Sequence, residues 1–191
     1  RWWRHRVAVV AIDPSAAFRS AVRTLLPKAR VSVDHFHLVK LANDMVTQVR
    51  RRVSWDRHDR RGRANDLTWA NRLLLMRGYD TLSQRGQAKL KTVLATDDPT
   101  NEIGAAWGVK EQLRRLLAAT TVADAQRERA TFNRYVTWAA MPETTRLKKT
   151  IDAWWPAIAT FIRTRATNAK TEAANVTIKN IKRTGRGYRS H

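Results

Sequence analysis

The chain has 191 residues, 43% of them hydrophobic, and its 37 Lys and Arg against 16 Asp and Glu give a formal net charge of +21. This length and hydrophobic content suffice to bury a core, which excludes a wholly disordered protein. The positive charge attracts polyanions, so nucleic acid is the expected partner. The absence of Cys excludes disulfides and thiolate metal sites. Because no stretch reaches the roughly 18 uncharged apolar residues of a membrane span, we expect an intracellular protein with no membrane partner.

The first part of the chain predicts a strand, a helix and a second strand. Residues 7 to 12, VAVVAI, are a short apolar run rich in β-branched residues that ends at Asp13. A helical pattern follows, and residues 29 to 38, ARVSVDHFHL, are interpreted as the second strand. A right-handed crossover makes such strands parallel and brings their ends to one edge. Asp13 and Asp34 are therefore expected near the edge where open α/β sheets bind ligands.

From Leu38 onward the apolar residues follow helical spacing. The first of these helices ends in Arg50, Arg51 and Arg52, for which phosphate contacts are predicted if DNA is the partner, with solvated charge as the alternative. A polar segment follows that is too poor in apolar residues to pack by itself. Further amphipathic runs cover residues 69 to 77, 83 to 95, 100 to 119, 122 to 140 and 144 to 165.

The last helical stretch, TNAKTEAANVTIKNIKR at residues 167 to 183, carries a single acid, Glu172. At about 100° per residue, its polar side chains form one narrow stripe with small and apolar residues on both sides. This pattern predicts a mostly buried helix with one polar edge. The stripe contains Asn168, Glu172, Asn175, Lys179 and Lys182.

Two carboxylates at such positions suit a divalent cation. Asp13 at a strand end and Glu172 on a later helix could share Mg²⁺, which prefers oxygen ligands and also binds phosphate. The alternative is that Asp13 caps the following helix and Glu172 pairs with a Lys. Asp34 is either an auxiliary acid or, as we favour, a structural residue at a strand end. His35 and His37 would share one face of a strand and could bind metal, although a partly buried or DNA-facing role is favoured.

Two segments carry a resemblance to a known family. AVVAIDPSAAFRSAVRTLLPKARVSVDHFHLVKLANDMVTQVRRR and TNAKTEAANVTIKNIKRTGRGYR resemble the catalytic domain of bacterial insertion-sequence transposases of the ISL-three type. The resemblance implies a DDE active site in which Asp13 is the second catalytic Asp and Glu172 the catalytic Glu, with two Mg²⁺ or Mn²⁺ ions. It also implies a DNA-contacting Lys seven residues after that Glu, which here is Lys179. His37 and Asp34 are possible auxiliary residues.

The fold implied by the resemblance is α/β and mostly α by content: a partial ribonuclease H-like fold, with a βαβ unit and a final core helix, interrupted by a large all-helical insertion. Residues 1 to 37 would form part of the core, residues 38 to 166 the insertion, residues 167 to 183 the helix with the catalytic Glu, and residues 184 to 191 a basic tail. The residues expected to contact DNA are Asn168, Asn175, Lys179, Lys182, Arg183, Arg50, Arg51 and Arg52.

The family's function implies metal-dependent cleavage and strand transfer during DNA transposition, on double-stranded element ends and target DNA. A homo-oligomer on DNA, in the bacterial cytoplasm and associated with the nucleoid, is the expected setting. The first catalytic Asp of the family lies on an earlier strand, and nothing before Val7 supplies it, so the chain is expected to be a fragment that is inactive alone. The alternative hypothesis is a catalytically inactive, basic DNA-binding remnant or accessory protein.

Overall fold

The computed structural model describes residues 2 to 185, except for the side chain of Lys170. Within this range the chain is mostly helical with one small sheet, as the sequence predicts. None of the helices described is long and apolar enough to cross a membrane. Of the predicted basic tail, residues 186 to 191 lie outside the described range, while Thr184 ends the last helix and Gly185 follows it.

The sheet consists of two parallel strands, which confirms the predicted strand, helix, strand arrangement. Ile12 lies opposite Val33 at the carboxyl ends of the strands, and both side chains are buried. A single turn of 3₁₀ helix precedes the first strand. These elements are the 3₁₀ helix Trp2–Arg6, β1 (Val9–Ile12), the crossover helix α1 (Ala16–Leu25) and β2 (Arg30–Val33).

The second strand is shorter than the sequence analysis predicts. It ends at Val33, and helix α2 (His35–His58) begins directly afterwards, so the prediction of strand from residue 34 to 38 is wrong. Asp34 is the reason, because its side chain accepts a hydrogen bond from the backbone N–H of Phe36 and caps the helix. Leu38 is then the first fully buried residue of a helical stripe rather than the end of a strand.

The hydrophobic core lies among the long helices. Leu113 of α6 (Glu102–Ala118) and Ile158 of α8 (Pro142–Thr164) have no exposed surface and pack in one cluster with Val46 and Val49 of α2. Helix α8 also packs against β2, which joins the sheet to the helical body. The remaining helices are α3 (Leu67–Ala70), α4 (Arg72–Met76), α5 (Gln84–Asp97), α6 (Glu102–Ala118), α7 (Val122–Ala139), α8 (Pro142–Thr164) and α9 (Ala169–Thr184).

Helix α9 does not have the burial that its sequence predicts. Apart from Lys170, whose side chain is not described, every residue of α9 is exposed. Its apolar side chains Val176, Ile178 and Ile181 are each more than half exposed. The prediction of a mostly buried helix is therefore wrong for this chain, because no other described element covers the apolar side of α9.

Candidate functional site

The site begins at the carboxyl edge of the small sheet. Asp13 follows β1 and Asp34 follows β2, and the parallel pairing brings both carboxylates to the same edge. Asp13 is not the cap of α1, because Ser15 fills that position and accepts a hydrogen bond from the N–H of Phe18 at 3.4 Å. The capping alternative for Asp13 is thus removed, and its side chain remains available for another role.

Four side chains converge at this edge. Asp13, Asp34, His37 and Glu172 each contribute one ligand atom, and these atoms all lie within 4.8 Å of one another. His37 Nδ1 is 3.4 Å from Asp13 Oδ1 and 3.9 Å from Asp34 Oδ2. Ligands on opposite sides of one divalent ion are about 4 to 5 Å apart, since each metal–oxygen distance is about 2.0 to 2.6 Å. The cluster therefore has the dimensions of a cation site.

Two atoms of the cluster lack the partners that buried polar groups normally have. Asp34 is fully buried, and its Oδ2 accepts no hydrogen bond, although its Oδ1 accepts one from Phe36. His37 Nδ1 is also buried without a hydrogen-bond partner. An unsatisfied buried polar group costs about 1 to 3 kcal/mol, more if charged, so a bound cation would offset this cost. The donor set suits Mg²⁺ through its carboxylates and also Mn²⁺, which accepts imidazole.

The position of Glu172 depends on the turn between α8 and α9. Arg165 ends α8 with φ of 53° in the left-handed region, and its guanidinium donates to the carbonyls of Leu117 and Ala119. The next residue, Ala166, accepts a hydrogen bond from the hydroxyl of Ser32 at 2.7 Å. These contacts attach the turn between α8 and α9 to the end of α6 and to β2.

The start of α9 is also joined directly to the acidic edge. The Asn168 amide donates to Asp13 Oδ1 at 2.6 Å, four residues before Glu172. One helical turn separates Asn168 from Glu172, so both side chains lie on the same side of α9. Asn168 was predicted to contact DNA, and the structure places it against a candidate metal ligand instead.

A second imidazole, that of His35, lies next to the cluster. Burial lowers the pKa of His35 below its ordinary value, and nearby Arg165 acts in the same direction, whereas Asp34 opposes the shift. Burial therefore favours the neutral form of the ring. His35 is not a member of the four-residue cluster, so the less favoured alternative, in which His35 and His37 bind a metal together on one strand face, is wrong. The helix separates them, because successive residues of a helix point about 100° apart.

Comparison with known proteins agrees with this geometry. A family model described as transposase, of the ISL3 DDE type, matches residues 1 to 191. The chain belongs to the ISL3 family of transposases. It is 25% identical over 186 residues to the transposase for insertion sequence element IS1001 of Bordetella parapertussis. The match covers 96% of this chain and 45% of that protein, so the chain spans less than half of its relative. No solved structure matches the chain.

In this transposase-family chain, the predicted DNA-contacting residues of α9 are all at the surface. Asn175, Lys179, Lys182 and Arg183 are exposed, and they share the helix with Glu172. Lys179 lies two helical turns beyond Glu172 and so projects from the same side. The positive groups of α9 are thereby available to a polyanion next to the acidic cluster.

The arginine run on α2 is mostly structural. Arg50 is only 5% exposed, and Arg52 donates to Glu143 Oε1 at 2.8 Å and forms an ion pair with Glu102 at 2.9 Å. The bond with Glu143 raises the pKa of Arg52 above its ordinary value. Only Arg51 is exposed. This placement favours a structural role for Arg50 and Arg52 over the phosphate contacts predicted for them.

Sequence reasoning named His37 only as a possible auxiliary residue, and it missed the contact of Asn168 with Asp13. Asp34 and His37 are three residues apart, a spacing that brings side chains together on a helix and separates them on a strand. The signal was Asp34 itself, an N-cap residue followed at once by helical apolar spacing. For Asn168 no local signal exists, because its partner Asp13 is 155 residues away.

Proposed function

We propose that this chain forms part of the catalytic centre of a DDE transposase that cleaves and joins DNA strands with a divalent metal. The observation that carries the proposal is the convergence of Asp13, Asp34, His37 and Glu172 from β1, the start of α2 and α9. Asp13, Asp34 and Glu172 are distant in sequence, and a bound cation would offset the repulsion between their like charges.

The proposed architecture is a partial ribonuclease H-like core with a helical insertion. In this proposal β1, α1, β2 and α9 belong to the core, and α2 to α8 form the insertion. The parallel strand pair and the return of α9 to the sheet edge through Asn168 support it. We place the boundary between the core and the insertion at Asp34, the N-cap of α2, rather than between residues 37 and 38 as the sequence predicted.

Asp13 and Glu172 are the proposed metal ligands, with Asp34 and His37 as further ligands or as groups that position them. Mg²⁺ or Mn²⁺ held there would supply activation of the attacking oxygen and stabilisation of the leaving oxygen at phosphorus. Asn168 orients the Asp13 carboxylate through its amide. Asp34 is held by the backbone N–H of Phe36, so its free oxygen has a fixed direction toward the cluster.

The DNA surface proposed here is α9 with its exposed cations. Lys179, Lys182 and Arg183 would contact backbone phosphates beside the acidic cluster, and Asn175 lies among them. The net charge of +21 would add long-range attraction for DNA. Double-stranded element ends and target DNA are the proposed substrates, bound by a homo-oligomer associated with the bacterial nucleoid.

The resemblance also implies one more catalytic Asp. Residues 1 to 12 contain no acidic residue, so we propose that this ligand comes from outside residues 1 to 191. It would join Asp13 and Glu172 in a site for two metal ions. Residues 1 to 191 alone are then expected to bind metal and DNA without cutting DNA.

The test is strand cleavage and joining by the complete polypeptide that carries these residues, on DNA bearing an insertion-sequence end, with Mg²⁺ or Mn²⁺. Asp13→Asn and Glu172→Gln should each lower the rate of cleavage at least about a hundredfold, because a metal ligand contributes several kcal/mol to transition-state stabilisation. Their DNA affinity should remain equal or rise, since each removes a negative charge beside DNA.

Glu128→Gln on α7 is the matched control, because it makes the same charge change outside the cluster. It should leave cleavage unchanged. Cleavage at the wild-type rate by Asp13→Asn or Glu172→Gln would disprove the assignment. Tight, salt-sensitive DNA binding by the wild-type protein without any cleavage would favour the alternative of an inactive DNA-binding remnant.

A further inference from the structure

Beside the acidic cluster, planar side chains form a connected stack. The ring of His35 stacks on Phe161 with centroids 4.6 Å apart and an angle of 17° between the planes. The ring of Phe36 lies against His35 at 4.1 Å, tilted by 37°. The guanidinium of Arg165 lies 5.2 Å from the centroid of Phe161. The stack therefore runs from the buried helical body toward the surface at the start of α2.

The outer ring of this stack faces solvent. Phe36 is 61% exposed, whereas Phe161 is only 3% exposed. A large aromatic ring is ordinarily buried, because its burial removes a large apolar area from water. Phe36 lies between two members of the cluster in sequence, Asp34 and His37, and its backbone N–H holds Asp34 at 2.9 Å. Its ring is thus fixed to the same helical turn as the candidate metal ligands.

A cavity of about 380 Å³ opens at this stack. Phe36, His35 and Phe161 provide aromatic surface in its wall, and Arg165 provides a positive charge. Arg114 also lines the cavity but is paired with Asp80 and Glu111. His35 Nδ1 is buried without a hydrogen-bond partner, so one polar atom of the stack remains unsatisfied. Aromatic faces together with cations are the combination that binds single-stranded nucleic acid, where the rings stack on bases and the cations attract phosphates.

We propose that this cavity binds one unpaired nucleobase of the DNA strand that lies across the acidic cluster, with the base stacked on Phe36. The proposal rests on the proposed function, because DNA must reach the cluster for a base to reach the cavity. The base must be unpaired, since both faces of a base within a duplex are already covered by its neighbours. Stacking on an aromatic ring is favourable for any base, and it is a net gain where the base is already unpaired because no base pair has to be opened first.

The proposal assigns Phe36 a positioning role. A base held on its ring would fix the backbone of the strand relative to Asp13, Asp34 and Glu172. The site would then discriminate DNA with an unpaired nucleotide from a fully paired duplex, without reading sequence, because every base has an aromatic face.

The test compares two DNA probes in Ca²⁺, which carboxylate ligands also bind. One probe is a duplex with a short unpaired 3′ overhang that contains 2-aminopurine, and the other is the same duplex with blunt ends. The wild-type 191-residue chain should bind the overhang more tightly and quench the 2-aminopurine fluorescence by stacking. Phe36→Leu should bind the overhang about tenfold more weakly with little quenching, and should bind the blunt duplex as the wild type does.

Phe18→Leu is the matched control, because Phe18 is 56% exposed on α1 and lies outside the stack. It should behave as the wild type with both probes. Phe36→Trp keeps an aromatic face and should retain overhang binding and quenching. Thermal unfolding of each variant confirms folding, which an exposed site should leave unchanged.

The outcomes separate this proposal from the proposed function. One outcome is that the wild-type chain binds both DNAs while Phe36→Leu and Phe18→Leu have equal affinity for the overhang. That result would disprove the base site and leave the proposed function standing. If the wild-type chain binds neither DNA, the proposed function and the base site both fail. A change in self-association of Phe36→Leu, measured by sedimentation, without a change in quenching would show that a second copy covers Phe36 and would overturn the base site.

Discussion

Helices α8 and α9 follow each other in the chain and have opposite environments. Both carry apolar residues at helical spacing, yet Ile151 and Ile158 of α8 are fully buried, whereas Val176 and Ile181 of α9 are 56% and 51% exposed. Helix α8 packs against α2, α6, α7 and β2, and no described element covers α9 in the same way. Apolar spacing therefore determined that each segment is helical, while the presence or absence of packing partners determined its burial.

The candidate site combines both environments. Asp34 is fully buried at the junction of β2 and α2, where it is both a helix cap and a cluster member. Glu172 reaches the same cluster from an exposed helix that is attached through Asn168 and Ala166. We therefore expect substitutions in the body to change stability, substitutions on α9 to change DNA interactions, and substitutions of Asp34 to change both stability and metal binding.

The largest effect on stability is expected at Arg52, which joins three elements of the body. Arg52→Met removes its bonds with Glu143 and Glu102 and leaves the carboxylate of Glu143 nearly buried without its partner. The free energy of unfolding should fall by about 2 kcal/mol, measured by urea denaturation at pH 7. Arg51→Met, at the exposed neighbour, is the control and should change the free energy of unfolding by less than about 0.5 kcal/mol.

The pH dependence of the free energy of unfolding is a second test of the pair formed by Arg52 and Glu143. Burial is the largest single influence on Glu143 and raises its pKa, but the hydrogen bond and charge of Arg52, its own backbone N–H and the charge of Arg146 together lower it more. The pKa in the folded protein therefore lies below its ordinary value of 4.5. The pair should thus stabilise the protein fully above pH 4.5, and this contribution should decline as the pH falls further. Two results would contradict the structural role of Arg52. One is an equal loss of unfolding free energy in Arg52→Met and Arg51→Met, and the other is a difference between the two variants that is the same at pH 3 as at pH 7.

The next effect is expected at Asp34, where two substitutions separate its two roles. Asp34→Ala removes the helix cap and should lower the free energy of unfolding by about 1 kcal/mol, whereas Asp34→Asn retains a capping oxygen and should cost little. Both should lower the affinity of the 191-residue chain for Mn²⁺ at least about tenfold, measured by isothermal titration calorimetry. Wild-type Mn²⁺ affinity in Asp34→Asn would show that Asp34 is only a cap.

The smallest effect on stability is expected on α9. The double variant Lys179→Gln and Lys182→Gln should change the free energy of unfolding by less than about 0.5 kcal/mol, because both side chains are exposed. Its DNA affinity should depend less on salt, with the slope of log K against log salt concentration reduced by about 0.9 for each lost phosphate contact.

The control for α9 is the double variant Lys89→Gln and Lys91→Gln, which removes two exposed charges from α5. This variant lowers the net charge by the same amount as the α9 variant, but it should leave the slope of log K against log salt concentration unchanged. An equal reduction of the slope by both double variants would show that α9 is not the DNA surface and that DNA binding follows the net charge alone.

The strand pair was predictable from the sequence because its signals are local. The β-branched run before Asp13, the helical pattern of α1 and the alternation of Val31 and Val33 each lie within a few residues. The start of α2 was predicted three residues late, because the apolar pattern becomes helical only at Leu38, whereas the helix begins at His35 after its cap Asp34. The polar contacts of Arg52 were not predictable, since Glu102 and Glu143 lie on helices far along the chain.

The sequence by itself determined most of the helical segments but not their ends, the parallel strand pair, the family and the two carboxylates Asp13 and Glu172 as candidate ligands. These depend on spacing, composition and motif order, which the chain carries locally. The sequence also predicted that Asp34 lies near Asp13. Only the tertiary structure decided that His37 and not His35 belongs to the cluster, that Asn168 contacts Asp13, and that α9 is exposed. Contacts between distant residues depend on how the helices pack around the sheet, and local sequence patterns do not specify that packing.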